Sequence, residues 1–163
     1  MRIYYDTEFI EDGRELYAVN RDIPVKRIRK HPWLMENVVP SLPHGFGDRR
    51  NTIPRRWLFD YGDAAVYTRR QIAGKVQRFI QQTPNPQLWA DWGAYDHVVL
   101  CQLWGPMVDL PEGIPMWTHD LRQEIERHGA REVPSMPGVR EHNALSDARE
   151  VMYRHEWLME RAA

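Results

Sequence analysis

A chain of 163 residues, 42% apolar and 28% charged, has the size and composition of one globular domain, so a single domain over 1–163 is expected. No apolar run reaches the roughly 20 residues of a membrane helix, the opening MRIYYDTEF lacks a signal peptide's apolar core, and a lone Cys101 suits a reducing compartment; a cytoplasmic protein without membrane contact is expected. A net charge of −1 predicts no whole-molecule attraction to a polyanion; local basic clusters at Lys26, Arg27, Arg29 and Lys30, at Arg49, Arg50, Arg55 and Arg56, and at Arg69 and Arg70 could contact phosphates or simply be solvated surface charge.

In chain order, residues 3–9 are rich in β-formers and predict a strand carrying Asp6 and Glu8. Glu11-Asp12-Gly13 is a turn signal, and residues 15–19 predict a second strand. Residues 20–67 are punctuated by prolines and read as irregular, with a short helix over 32–38 opened by Pro32. Thr68 and Gln71 form a capping box, followed by Ile72, Val76, Phe79 and Ile80 on one helical face. Residues 87–90 predict a short buried strand, 95–104 a helix closed by Gly105-Pro106, 120–128 a helix, and 143–161 the last helix. Strands alternating with helices indicate an α/β fold.

Three short patterns carry chemistry. Asp6 and Glu8, two apart on a strand, point to one face, where their repulsion asks for a counter-charge such as Mg²⁺ or Mn²⁺. A half-exposed edge strand with two outward acids has the same spacing. Asp96 follows a strand and small residues at a helix start, near the strand end where α/β sites form; it serves equally as a helix-start acid. His142 precedes the last helix and Asp147 lies in its first turns, where the helix dipole favours a carboxylate. A histidine beside acidic ligands can take a proton from water, although a surface histidine and an N-terminal helix acid are both common. No CxxC or HExxH pattern occurs, so zinc is not expected.

Taken in order, Asp-x-Glu, Tyr-Asp and His-x-Ala-x-x-Asp resemble the three exonuclease motifs of the DEDDh family, from Asp6 to Asp147. More narrowly, residues 5–13, 92–98 and 101–107 resemble a small mycobacterial and actinobacterial 3′-5′ exoribonuclease family. The resemblance implies a ribonuclease H-like mixed sheet flanked by helices, two divalent ions (Mg²⁺ or Mn²⁺) on Asp6, Glu8, Asp96 and Asp147, and His142 as general base. It further implies single-stranded RNA 3′ ends as substrate, adenylate-rich ends among them, a nucleoside 5′-monophosphate product, and a homodimer. Thr7, Phe9, Trp92 and His142 are the expected substrate contacts, Phe9 and Trp92 by stacking on bases. Of the seven tryptophans, Trp57, Trp104 and Trp157 are read as core, while Trp33, Trp89 and Trp117 stay open.

Two departures stand out. Trp92 occupies a position where relatives often carry Asn, and the segment after Asp12-Gly13 is short, as though one strand of an antiparallel meander were absent. A shortened antiparallel edge is therefore expected. A DEDDh enzyme acting on DNA, a non-catalytic binder of RNA 3′ ends and an unrelated α/β interaction domain are the alternatives; in the last, the four carboxylates would be scattered.

Overall fold

The computed structural model describes residues 1–6, 9–11, 14–44, 57–139 and 142–162. In chain order they form β1 (Arg2–Tyr5), β2 (Phe9–Glu11), β3 (Arg14–Leu16), β4 (Val19–Asn20), α1 (Val25–Ile28), α2 (Pro32–Asn37) and β5 (Val66–Tyr67). There follow α3 (Arg69–Gln81), β6 (Gln87–Ala90), α4 (Gly93–Cys101), β7 (Thr118–Asp120), α5 (Leu121–Arg127) and α6 (Ala144–Ala162). Contacts divide the chain into two compact units, one of residues 1–17 and 73–163 and the other of residues 18–72.

In the first unit the strands order as β3-β2-β1-β6-β7. β1 and β6 are parallel, as are β6 and β7, whereas β2 runs antiparallel to both β1 and β3. The sheet is thus mixed, with helices against it. Two sequence expectations are corrected at its edges. The strand expected over 3–9 ends at Tyr5, and no strand is missing after it: β2 and β3, three residues each, complete the meander in shortened form. β7 has no counterpart among the expected elements; the helix expected over 120–128 is α5, and Asp120, the last residue of β7, caps it.

Strands this short are held by burial more than by propensity. Ile3 and Leu88 share one face through their register, Tyr4 and Trp89 the other, and all four are buried. Tyr4 and Trp89 join Leu121 of α5 and Ala148 and Val151 of α6 in one core cluster. Fully burying a side chain such as Ile3, Leu88 or Leu121 contributes about 1.5–3 kcal/mol, against a β-propensity scale that spans about 1 kcal/mol per residue. α6 presents Ala148, Val151, His155 and Leu158 inward at helical spacing. The expected capping box is present: Gln71 Oε1 accepts from Thr68 N at 2.9 Å, Thr68 Oγ1 accepts from Gln71 N at 3.3 Å, and α3 starts at Arg69.

The second unit is less irregular than its prolines imply. β4 and β5 pair in parallel, and His31 caps α2 by accepting from Leu34 N at 3.3 Å, with Pro32 in the first turn. Trp57, Phe59 and Tyr61 meet edge to face, and Arg29 fixes the Trp57 carbonyl with two hydrogen bonds at 2.6 and 3.0 Å. Arg49, Arg50, Arg55 and Arg56 lie outside the described residues. No described helix is long and apolar enough to cross a membrane.

Candidate active site

Asp6, Asp96 and Asp147 come from three distant segments and meet at one end of the first unit's sheet. Asp6 lies in a bend directly after β1, not on a strand. Asp96 occupies the first turn of α4 and is only 9% exposed. Asp147 occupies the first turn of α6, which Asn143 caps by accepting from Ser146 N at 3.0 Å, while Asp147 N bonds Asn143 O at 2.8 Å. The Asp6 carboxyl hydrogen-bonds those of Asp96 and Asp147. Thr7 and Glu8, and the side chain of Phe9, lie outside the described residues.

Crowding changes the protonation of the group. Burial raises the Asp6 pKa; the bonds with Asp96 and Asp147 and the charge of His142 oppose that rise, and Asp91 adds to it. Burial, with the Asp6 charge next in size, pushes Asp96 up to about 7. His142, exposed and left-handed at φ 61°, stands near enough to Asp6 to act on its charge. Among the described residues no three His, Cys, Asp or Glu side chains are spaced to hold a metal ion as they stand.

The helix bearing Asp96 is anchored from beneath. Tyr5 Oη lies 2.5 Å from Thr118 Oγ1, His97 Nδ1 lies 3.0 Å from the same oxygen, and His97 Nε2 lies 3.4 Å from Cys101 Sγ. This chain ties β1, β7 and α4 together; burial holds the Tyr5 hydroxyl well above its ordinary pKa and His97 below its own, so both stay neutral near pH 7. A Cβ on Gly93 would stand 2.9 Å from Thr118 Cγ2, so the approach of α4 to β7 requires glycine there.

Trp92, just before α4, is 61% exposed. Of the tryptophans read as core, Trp57 is buried while Trp104 and Trp157 are partly exposed; Trp89 joins the core, and Trp33 and Trp117 are exposed. The motifs did not reveal Asp91, whose charge bears on both Asp6 and Asp96, or its partner Arg122, which bonds it at 2.6 and 2.7 Å.

No protein-family model matches the chain. It is similar to two curated proteins named 3′-5′ exoribonuclease, from Mycobacterium tuberculosis strains CDC 1551 and H37Rv. Each is 38% identical over 171 aligned residues, covering 94% of this chain and 90% of the relative.

Proposed function

Because the chain belongs to the 3′-5′ exoribonuclease family of these mycobacterial proteins, we propose that it is a metal-dependent exoribonuclease of the DEDDh type, removing nucleoside 5′-monophosphates from single-stranded RNA 3′ ends. The observation that carries the reading is the convergence of Asp6, Asp96 and Asp147 from three separate segments into one hydrogen-bonded group. Strand order β3-β2-β1-β6-β7, with β2 antiparallel to its neighbours, supports a ribonuclease H-like fold.

The donor set fits a hard divalent cation. Three clustered carboxylates, Asp96 buried among them, supply only oxygen and excess negative charge, the preference of Mg²⁺ and Mn²⁺. Asp6, Asp96 and Asp147, with Glu8 as the fourth acid, are the proposed ligands. Two bound ions would stabilise the developing charge on the attacking and leaving oxygens of an in-line displacement. His142, exposed beside Asp6, takes the proton of the attacking water. Water oxygen bonds to phosphorus, and the 3′ oxygen of the preceding nucleotide leaves with its electron pair. Trp92, together with Thr7 and Phe9, is the proposed contact to the terminal nucleotides. A homodimer would cover part of the apolar surface at Tyr95, Val98, Val99 and Trp117, a state that light scattering reads directly.

The test is release of nucleoside monophosphate from labelled RNA with Mn²⁺ or Mg²⁺, beside a chelator control and Asp6→Ala. Turnover is expected in wild type only and only with metal; Asp6→Ala falls by more than the roughly 100-fold that losing an outer-shell partner costs. Wild-type protein that releases nothing under these conditions would sink the reading. Matched ribo- and deoxyribo-oligonucleotides separate RNA from DNA preference, and A- against U-terminated RNAs test for adenylate preference.

A further inference from the structure

The turn between β6 and α4 is gripped by the start of α5. Arg122 donates from Nε to Asp91 Oδ1 at 2.6 Å and from Nη2 to Asp91 Oδ2 at 2.7 Å. Gly93 donates its N–H to Asp120 Oδ2 at 2.9 Å, while Asp120 Oδ1 caps α5 by accepting from Arg122 N at 2.8 Å. Between these two ties Trp92 adopts left-handed backbone, φ 60° and ψ 41°, a conformation rare for a bulky residue. The Arg122 guanidinium stands over its indole, 5.5 Å from the ring centroid, yet the residue is 61% exposed.

Strain and exposure together are a poor choice for packing. The residue is held out, not in, four positions before the buried Asp96. We infer that Arg122, anchored on Asp91, is a positioning residue that presents Trp92 as a one-faced stacking platform for a nucleobase beside the scissile phosphate. The inference rests on the exoribonuclease reading and extends it to how the substrate is seated.

With the guanidinium on one face, a base is offered the other. The ring is oriented before substrate arrives, so less freedom is lost on binding. Stacking reads no base edge, so all four bases are accepted. The arrangement needs the planar fork of arginine, because lysine offers charge without two parallel bonds to Asp91 or a flat surface against the indole. A surface ion pair that merely tied α5 to β6 would have no bearing on the base.

The experiment uses full-length protein and two RNAs, identical except that the last two nucleotides of one are abasic. Equilibrium binding is measured by fluorescence anisotropy, and kcat and KM by product release. For the intact RNA, Arg122→Met is expected to raise Kd and KM on the order of tenfold, the size of one lost base stack, with kcat changing far less. The abasic RNA is expected to show little change. Trp92→Ala should reproduce the effect, and the double variant should lose no more than Trp92→Ala alone. Arg122→Lys should recover only part of the loss. Equal weakening of both RNAs, additive losses in the double variant, or undisturbed binding in Trp92→Ala would each overturn the inference. If wild type binds RNA but releases no product, the proposed function falls while the binding measurements still judge the platform.

Discussion

Asp96 records the cost of the site. A carboxylic acid held up to about 7 by burial and by Asp6 is penalised whenever it ionises. The sign follows from its unfolded value of 3.8: between about 3.8 and 7 the folded chain holds the proton more tightly, so this group's contribution to stability grows as pH falls through that window. Asp96→Asn should therefore raise the Tm of chelated protein at pH 8, on the order of 2–4 °C per kcal/mol relieved, and the gain should shrink towards pH 4. Mn²⁺ should raise the wild-type Tm at pH 8 by binding the folded state, and raise it less in Asp96→Asn. A scanning calorimeter reads both without reference to activity; a destabilised variant at pH 8 would show that the carboxylate is not the strained group. Asp6, Asp96, His142 and Asp147 could be picked out as candidates in the sequence because spacing and order survive without coordinates. Asp91 and Arg122 could not, since their pairing exists only once β7 lies beside β6 and brings the start of α5 to the end of β6.

Among the elements, those that were legible carry their signals locally. The α3 start announces itself in a capping exchange four residues long, and Ala144–Ala162 in an apolar stripe over five turns. Strands of two or three residues offer no such repeat. Phe9–Glu11 is too short to show a period of two, and Thr118-His119-Asp120 is polar and ends in a helix cap, so its strand character comes from pairing with β6. That pairing is sensitive to what stands between α4 and β7. Gly93→Ala would place its Cβ 2.9 Å from Thr118 Cγ2 and 3.3 Å from the His119 carbonyl oxygen, and should destabilise the protein by about 1–3 kcal/mol. Thr118→Ser removes the clashing methyl but keeps the oxygen that serves Tyr5 and His97. Adding it to Gly93→Ala should restore much of the urea midpoint; a double variant no better than the single would place the strain in the backbone.

At the scale of the molecule, acid response includes two groups of opposite sign. His155 of α6 is fully buried, with Nδ1 3.0 Å from Tyr4 Oη and its ring 4.1 Å from that of Trp89. Its Nε2 has no hydrogen-bond partner among the described residues. Burial brings its pKa down from 6.5 to about 4; Arg2, His119 and His128 also disfavour its proton, while Glu124 favours it. Between about 4 and 6.5 the unfolded chain takes up this proton and the folded chain does not, so stability is lost as pH falls through that window. The aspartate group gains stability over much of the same range, and the two partly cancel in metal-free protein. Urea unfolding of His155→Gln at pH 5 and pH 7.5 isolates the histidine: relative to wild type, the variant should gain between the two conditions as pH falls, whatever its absolute stability. Asp96→Asn should move the opposite way, and saturating Mn²⁺ should remove the aspartate contribution while leaving that of His155 intact. A His155→Gln difference that stays constant with pH would mean that the buried imidazole is protonated equally in folded and unfolded chains.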